Sequence, residues 1–342
     1  MSSQVQGFPG FTCAAGSASE AVNPGTRERV KQNRVLAVLG ATAAGKSALG
    51  LALAERLGGE IVNCDSTAVY RGFDIGTDKV PVSDQRGIPH HLVDIVEPTA
   101  EYSAADYARE ATAAIRHILA RGRVPILVGG TGFYYRALTR GLFPGPGKDA
   151  TLRARLEAIA TRRGVERLWQ MVRRVDPESA RRIQPRDRLR LVRALEVYFL
   201  TGRPLTSHFA ETRPPLDFCT VVPIGVRLPA ALTSERVTVR VDQQFARGLM
   251  DEVRALLARG VPETARPFGG LVYRQALELL HGVRDLAATR ELIIQENRQY
   301  ARRQLIWFRK EPNLRWFDGP GESPDVIAQV IATLPESSQS HS

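Results

Sequence analysis

The chain has 342 residues, of which 43% are apolar and 24% are charged. This composition excludes a globally disordered chain, and no apolar run reaches the ~18 residues that a membrane span requires. The 47 Lys and Arg residues exceed the 36 Asp and Glu residues, and the net charge of +11 indicates a polyanionic partner, although a merely basic protein would have the same balance.

The first 33 residues are small and polar and show no periodicity, so we predict a disordered tail at 1–33. They have no basic start followed by an apolar stretch, which argues against a signal peptide. The three cysteines are odd in number and far apart, which excludes a disulfide framework and fits a reducing compartment. We therefore expect a cytoplasmic protein without membrane attachment.

From Arg34 onward, short apolar runs alternate with helical patterns. Alternation of this kind predicts a parallel sheet that is covered by helices on both faces. The predicted strands are 35–39, 60–64, 91–96, 125–128 and 219–226, and the predicted helices between the first four are 47–57 and 104–120.

A Pro- and Gly-rich break at 143–147 precedes a change in composition. Residues 149–214 form arginine-rich helical patterns, and further long helical patterns occupy 235–258 and 272–312. The fold class that we predict is α/β, with a parallel core sheet and a small all-helical insertion domain. The core would comprise 34–148 and 215–318, the insertion 149–214, and a C-terminal tail 319–342.

A glycine-rich segment lies between the first strand and the first helix and matches the phosphate-loop pattern G-x4-G-K-[ST]. Backbone N–H groups in such a loop converge on an anion at a helix N-terminus. Lys46 would reach the outer phosphate, and the Ser47 hydroxyl would help to hold Mg²⁺. The predicted phosphate-binding residues are Gly40, Ala41, Thr42, Ala43, Ala44, Gly45, Lys46 and Ser47.

Two polar residues follow predicted strands at the carboxyl edge of the sheet, where ligands bind in open parallel sheets. Asp65 comes directly after the second strand and is a candidate general base or Mg²⁺ ligand; a helix N-cap is the simpler alternative. Thr131 lies within Gly129–Gly132, where flanking glycines allow close approach of a ligand, unless the segment is only a turn.

Two basic segments are candidates for contact with nucleic acid. Arg186, Arg190 and Arg193 recur at i, i+4 and i+7, and Arg302, Arg303, Arg309 and Lys310 form a second group. A stripe of charged residues is often only the solvent-exposed face of a helix, but few acidic residues balance the charge of these two basic segments. We therefore predict contacts with a phosphate backbone.

These segments together resemble the tRNA dimethylallyltransferases, the bacterial tRNA isopentenyltransferases. The resemblance covers roughly 35–318 in the right order. It rests on Gly-Ala-Thr-Ala-Ala-Gly-Lys-Ser at 40–47, Asp-Ser-x-x-Val-Tyr-Arg-Gly-x-Asp-Ile-Gly-Thr at 65–77, Pro-His-His-Leu-Val-Asp at 89–94, Gly-Gly-Thr-Gly-x-Tyr at 129–134, Arg-Leu-x-Arg-Ala-Leu-Glu-Val at 190–197 and Arg-Arg-Gln-x-x-Trp-Phe-Arg at 302–309.

The resemblance implies transfer of a dimethylallyl group from dimethylallyl diphosphate to N6 of adenine 37, beside the tRNA anticodon. It implies Mg²⁺ as cofactor, a phosphate-loop NTPase-like core and a helical insertion that clamps the anticodon stem-loop. The phosphate loop would then hold the diphosphate leaving group, with Lys46 as a catalytic residue and Arg240 as a further phosphate ligand. Nothing in the sequence demands a dimer, so we expect a monomer.

Residue by residue, Asp65 matches the family's general base and Thr131 its second tRNA-site residue. Ala68 stands where the family has a glutamine that contacts the adenine region, and Leu189 replaces the glutamine of Gln-Arg-Leu-x-Arg. Arg153 falls near a further tRNA contact of the family, at the start of the insertion. The tRNA-binding residues that the resemblance implies are Asp65, Ser66, Thr67, Ala68, Thr131, Arg153, Leu189, Arg190, Leu191, Val192 and Arg193.

Three other functions share parts of this pattern. A small-molecule or nucleoside kinase has the same loop but needs no arginine-rich insertion. An isopentenyltransferase for free adenine nucleotides shares the core, whereas the arginines of 181–193 indicate a larger anion. A phosphate-loop RNA-binding protein without activity would not need Asp65 and Thr131 at strand ends.

Overall fold

The computed structural model describes residues 33–334. Six parallel strands form one sheet: β1 (Arg34–Gly40), β2 (Gly59–Asn63), β3 (His90–His91), β4 (Val124–Gly129), β5 (Thr220–Arg227) and β6 (Arg315–Asp318). Their order in space is β3-β2-β4-β1-β5-β6. The predicted parallel sheet is confirmed, and its central strand β1 carries the glycine-rich loop at its carboxyl end.

Helices surround the sheet or pack beside it. They are α1 (Lys46–Leu57), α2 (Ala104–Ala120), α3 (Gly132–Arg140), α4 (Ala150–Arg163), α5 (Val165–Val175), α6 (Pro177–Arg182), α7 (Arg188–Thr201), α8 (Leu205–Phe209), α9 (Ala230–Ala246), α10 (Leu249–Ala258), α11 (Tyr273–Leu280), α12 (Leu286–Phe308) and α13 (Pro324–Ala332). No helix among the described residues is long and apolar enough to span a membrane.

Alternate residues of β1 enter two separate cores. Val35 and Leu39 pack in a core with residues of α2, α3, α9 and α12, whereas Leu36 and Val38 pack on the other face with α1 and α13. Because both faces of β1 are buried, its sequence is continuously apolar rather than alternating.

The helices α4 to α8 share a third core, whose buried residues all lie between Leu156 and Leu205. Leu168, Leu191 and Leu195 are fully buried there. This core is separate from the two cores that flank the sheet.

Three of the expected elements differ from the structure. The strand predicted at 91–96 pairs with β2 only at His90–His91, because Leu92 (φ 62°) and Asp94 (φ 54°) adopt left-handed backbone conformations that end the ladder. The helix predicted at 235–258 is interrupted before α10 by Gly248, whose φ of 92° is incompatible with a continuous helix. The long pattern at 272–312 likewise divides into α11 and α12.

The tail predicted at 319–342 is wrong where the structure describes it. Helix α13 begins with Pro324 and buries Val326, Ile327 and Val330 against α1 and the sheet. Burial of these apolar side chains outweighs the polar composition of the flanking residues. The predicted tails at 1–32 and 335–342 lie outside the described residues.

Candidate active site

A crevice of about 330 Å³ opens at the carboxyl ends of β1, β2 and β4. The glycine-rich loop forms one wall and residues 65–68 another, while α9 and α12 close it from the side of the sheet that carries α2. The residues of the sequence prediction that line this crevice are Thr42, Lys46, Ser47, Asp65, Ser66, Thr67, Ala68 and Arg240. Sequence positions that are far apart thus meet at one edge of the sheet.

The predicted phosphate loop joins β1 to α1, with Gly45 in a left-handed conformation (φ 85°) immediately before the helix. Lys46 is the first residue of α1, and its Nζ donates a hydrogen bond to the Ala41 carbonyl at 2.6 Å. The lysine therefore folds back across its own loop, above the N-terminus of α1.

Burial of Lys46 and, to a smaller extent, the nearby Arg240 guanidinium lower the pKa of this lysine from 10.5 to about 8. The carboxylate of Asp65 acts in the opposite direction and raises that pKa. Two neighbouring cations in a shielded crevice make a site that favours a polyanion, because an anion relieves the repulsion between them.

The structure brings Arg240 of α9 to the loop. Its Nη1 donates to Thr42 Oγ1 at 2.5 Å, and its Nη2 pairs with Asp78 at 2.5 Å. Asp78 also pairs with Arg247 at 3.3 Å. The guanidinium is thus held at the mouth of the loop, where sequence reasoning expected a phosphate ligand.

Asp65 follows β2 and forms a tight turn rather than capping a helix. Its Oδ1 accepts hydrogen bonds from the Thr67 backbone N–H at 2.9 Å and from the Thr67 hydroxyl at 2.6 Å. Asn63 fixes the approach to the turn, since its Oδ1 accepts from the Asp65 N–H at 3.0 Å. The carboxylate is therefore oriented within the crevice and could accept a proton there.

Thr131 meets this turn from the neighbouring strand. Its Oγ1 accepts a hydrogen bond from the Ser66 N–H at 3.0 Å, and its own N–H donates to the Cys64 carbonyl at 3.1 Å. Although Thr131 precedes α3, its side chain makes no cap hydrogen bond to that helix. The segments that contain Asp65 and Thr131 are thus joined directly, as expected of two residues that act at one site.

Gln304 is a site residue that sequence reasoning did not single out. It is buried on α12, and its Oε1 accepts from the Thr42 N–H at 2.8 Å while its Nε2 donates to the Gly130 carbonyl at 2.9 Å. One amide therefore ties the phosphate loop to the loop that carries Thr131. The available signal is its place in the segment Arg-Arg-Gln-x-x-Trp-Phe-Arg at 302–309, which carries part of the family resemblance.

The insertion residues differ among themselves. Leu189 is 80% exposed at the start of α7, whereas Leu191 and Val192 are buried in the third core. The expectation that the Leu191 and Val192 side chains contact tRNA is therefore wrong, because packing removes them from the surface. Arg186 lies outside α7 and so is not part of the predicted helical face.

Arg153 and Arg193, both partly exposed, converge on one buried carboxylate. Glu196 is fully buried and accepts from Arg153 Nε and Nη2 at 2.7 and 2.8 Å and from Arg193 Nη1 at 2.6 Å. Although burial raises the pKa of Glu196, hydrogen bonds from Arg153 and Arg193 lower it to about 2. Both arginines, which we expected to bind tRNA, therefore have a structural partner within the insertion.

Arg190 remains a candidate for contact with nucleic acid. Its side chain is 69% exposed, and within the described part of the chain its one ion pair is with Asp187, at 3.3 Å. On α12, Arg302 and Arg303 are exposed, and Arg309 and Lys310 are exposed just beyond its end. These cations are accessible to a phosphate backbone, so the predicted contact stays a prediction for them.

No cluster of three or more His, Cys, Asp or Glu residues within 33–334 could hold a metal ion. The Ser47 hydroxyl and the Asp65 carboxylate line the same crevice. Such oxygens, completed by substrate phosphates and water, are the ligands that Mg²⁺ takes in phosphate sites. The expectation of Mg²⁺ fits this donor set and stays a prediction.

Comparison with known proteins identifies the family. A family model described as IPP transferase matches residues 68–311. A tRNA dimethylallyltransferase from Geobacter metallireducens is 44% identical over 301 residues, which is 88% of this chain and 97% of the relative. Another tRNA dimethylallyltransferase, from Solibacter usitatus, is 45% identical over 292 residues, which is 85% of this chain and 95% of that relative.

Solved structures give the same result. The full-length tRNA isopentenylpyrophosphate transferase from Bacillus halodurans aligns with a TM-score of 0.65 at 35% identity, covering 88% of this chain and 95% of that one. A eukaryotic dimethylallyltransferase acting on tRNA aligns with a TM-score of 0.74 at 25% identity, and the alignment covers 90% of this chain and 81% of that one. The chain therefore belongs to the IPP transferase family and is a transferase.

Proposed function

We propose that this chain transfers a dimethylallyl group from dimethylallyl diphosphate to N6 of the adenosine beside the tRNA anticodon and releases diphosphate. The observation that carries the proposal is the meeting of Lys46 and Asp65 in one crevice of about 330 Å³, with Thr131 hydrogen-bonded to the backbone of Ser66 beside Asp65. Membership of the IPP transferase family, whose named relatives act on tRNA, supports the same reaction.

In this reaction the phosphate loop binds the diphosphate, which is the leaving group. The bond between the allylic carbon and the diphosphate oxygen breaks, and its electron pair leaves with the diphosphate. Lys46, Arg240 and the N–H groups at the start of α1 stabilise the charge that grows on that oxygen, and because they are fixed in advance they lower the barrier. Mg²⁺ held beside Ser47 would neutralise part of the same charge.

Asp65 acts on the nucleophile. The N6 amine is a weak nucleophile because its lone pair is delocalised into the adenine ring. As the N6–carbon bond forms, N6 loses a proton, and the Asp65 carboxylate accepts it. The contacts from Thr67 to Asp65 Oδ1 hold the carboxylate in one orientation, while Thr131 fixes the adjoining Ser66 backbone.

The insertion would bring the RNA to this crevice. The adenosine must leave the anticodon-loop stack, which costs a few kcal/mol. Arg190 and the exposed cations at the end of α12 would offset this cost through phosphate contacts. Neither a free adenine nucleotide nor the substrate of a small-molecule kinase would need these phosphate contacts.

Incubation with labelled dimethylallyl diphosphate and unmodified tRNA, followed by digestion of the RNA, tests the proposal. Label in one adenosine of the anticodon loop supports it. Label recovered only on free adenine nucleotides, or ATP hydrolysis with a phosphorylated product, would contradict it.

A further inference from the structure

The outer side of the phosphate loop is held by groups that do not line the crevice. Arg236 of α9 lies one turn before Arg240, and its Nε donates to the Ala43 carbonyl at 2.8 Å. The N–H of Gly321, in the turn before α13, donates to the Ala44 carbonyl at 2.9 Å. The Arg236 guanidinium also pairs through its Nη2 with Glu322, at 2.6 Å.

These contacts determine the direction of the N–H groups on the inner side of the loop. A trans peptide is planar, and its carbonyl and N–H point in opposite directions. A donor that holds the Ala43 carbonyl outward therefore holds the Ala44 N–H inward, and the Gly321 contact does the same for the Gly45 N–H. Inward N–H groups are the anion-binding groups of a phosphate loop.

Gly45 allows the close approach of this second layer. A Cβ at Gly45 would lie 2.6 Å from the Gly321 nitrogen, which is closer than real Cβ atoms come. The φ of 85° at the same residue also disfavours a side chain. The turn that contains Gly321 and Glu322 is thus packed directly against the backbone of the loop.

We infer that Arg236 and Glu322 are positioning residues that set the affinity of the phosphate loop for diphosphate. Glu322 orients the Arg236 guanidinium, and Arg236 fixes the peptide between Ala43 and Ala44. The turn before α13 fixes the following peptide, between Ala44 and Gly45. Neither Arg236 nor Glu322 is among the described residues that line the crevice, so both act through the loop. The inference rests on the proposed use of this loop for diphosphate.

Removal of the Glu322 charge distinguishes a positioning role from a purely electrostatic effect on the binding of diphosphate. If only charge mattered, Glu322→Gln would remove an anion near the site and tighten the binding of diphosphate. If orientation matters, the same change releases Arg236 and weakens binding. Arg236→Lys gives an independent comparison, because it keeps the positive charge but loses the fork that contacts Ala43 and Glu322 together.

The experiment measures the affinity of the full-length protein for inorganic diphosphate with Mg²⁺ present by calorimetry, together with KM and kcat for transfer. The variants are Arg236→Lys, Glu322→Gln and the control Arg227→Lys. Arg227 forms a comparable exposed pair with Asp318, at 2.6 Å, on the strand ends that precede the turn. Melting temperatures are recorded for each protein.

Arg236→Lys should weaken the binding of diphosphate about tenfold, the scale of a lost hydrogen bond to a charged group, and Glu322→Gln severalfold. KM for dimethylallyl diphosphate should rise in parallel, with KM for tRNA and the melting temperature unchanged. Tighter binding in Glu322→Gln, or unchanged binding in Arg236→Lys, overturns the inference. Failure of the unmodified protein to bind diphosphate would instead contradict the proposed function itself.

Discussion

Gln304 accepts a hydrogen bond from the backbone N–H of Thr42 at 2.8 Å, although 262 residues separate the two in the chain. The same amide donates to the Gly130 carbonyl, so a single side chain connects the phosphate loop with the loop that carries Thr131. The relative position of these two loops therefore depends on α12.

Replacement of Gln304 tests this connection. Gln304→Leu keeps the size of the side chain but leaves the Thr42 N–H and the Gly130 carbonyl without this partner, at a cost of about 1–3 kcal/mol for each buried group. We expect a lower melting temperature and a kcat that falls further than the affinity for tRNA.

Gln295→Leu, at an exposed position on the same helix, is the matched control. If Gln304→Leu and Gln295→Leu have the same kcat and melting temperature, the amide does not join the two loops in any way that affects the reaction.

Lys46 gives a prediction for the dependence on pH. Its pKa of about 8 means that the free protein carries the full charge only below that pH, so affinity for diphosphate should fall as the pH rises through about 8. A bound anion raises the pKa of Lys46 again, so binding at pH about 9 should take up protons. Calorimetry in buffers of different ionisation enthalpy measures both effects.

Lys46→Arg provides the comparison, since a guanidinium stays charged throughout this range. The unmodified protein should therefore lose affinity relative to this variant as the pH rises from about 7 to 9.5, because the ionisation of diphosphate itself affects both proteins alike. A flat profile for the unmodified protein would mean that Lys46 does not titrate at the diphosphate site.

The arginines of α7 should separate into two classes. Arg190 is exposed, so Arg190→Ala should reduce the slope of log affinity for tRNA against log salt by about 0.7–0.9 and leave the melting temperature unchanged. Arg193→Ala should instead lower the melting temperature by several degrees, because removing one partner of a buried carboxylate is costly.

Salt titrations and thermal melts of these two variants check the assignment. If Arg193→Ala changes the slope without lowering the melting temperature, Arg193 binds RNA and its contact with Glu196 is of little consequence. An unchanged slope for Arg190→Ala would remove α7 from the RNA interface.

Glu196 predicts acid sensitivity of the insertion. Its pKa in the folded chain, about 2, lies below the 4.5 of an ordinary glutamate, so its ionisation contributes stability above pH 4.5. That contribution is lost as the pH falls from 4.5 towards 2. Thermal melts between pH 5 and 3 should show a steeper loss for the unmodified protein than for Glu196→Gln, which is less stable at the start. Parallel curves would contradict this role.

The sequence predicts those parts of the site that are local in the chain. The phosphate loop, Asp65 and Thr131 follow strands directly, and the parallel order of β2, β4 and β1 brings their ends together without further information. Gln304 could not be placed in this way, because its partners belong to distant loops. The left-handed conformations at Leu92 and Asp94 that end β3 have no local signal either, since neither is glycine.

In the insertion, the sequence predicts contacts within one helix but not contacts between helices. The spacing of Arg193 and Glu196 marks them as possible partners within one helix, and this pair is present in the structure. The contact of Arg153 with the same carboxylate depends on the packing of α4 against α7, so its role was open from sequence alone. For α13, the apolar spacing of Val326, Ile327 and Val330 is a helical signal that the prediction of a tail at 319–342 does not take into account.

The most direct test of the account is single-turnover transfer of label from dimethylallyl diphosphate to tRNA by Asp65→Asn, with tRNA binding measured on the same preparation. Asparagine keeps the oxygen that accepts from Thr67 but loses the ability to take a proton. Asp251→Asn, at an exposed position, is the control. We expect transfer to slow by roughly 10²–10⁴-fold with tRNA affinity unchanged. Transfer at the rate of the unmodified protein would contradict the assignment of Asp65 as the base.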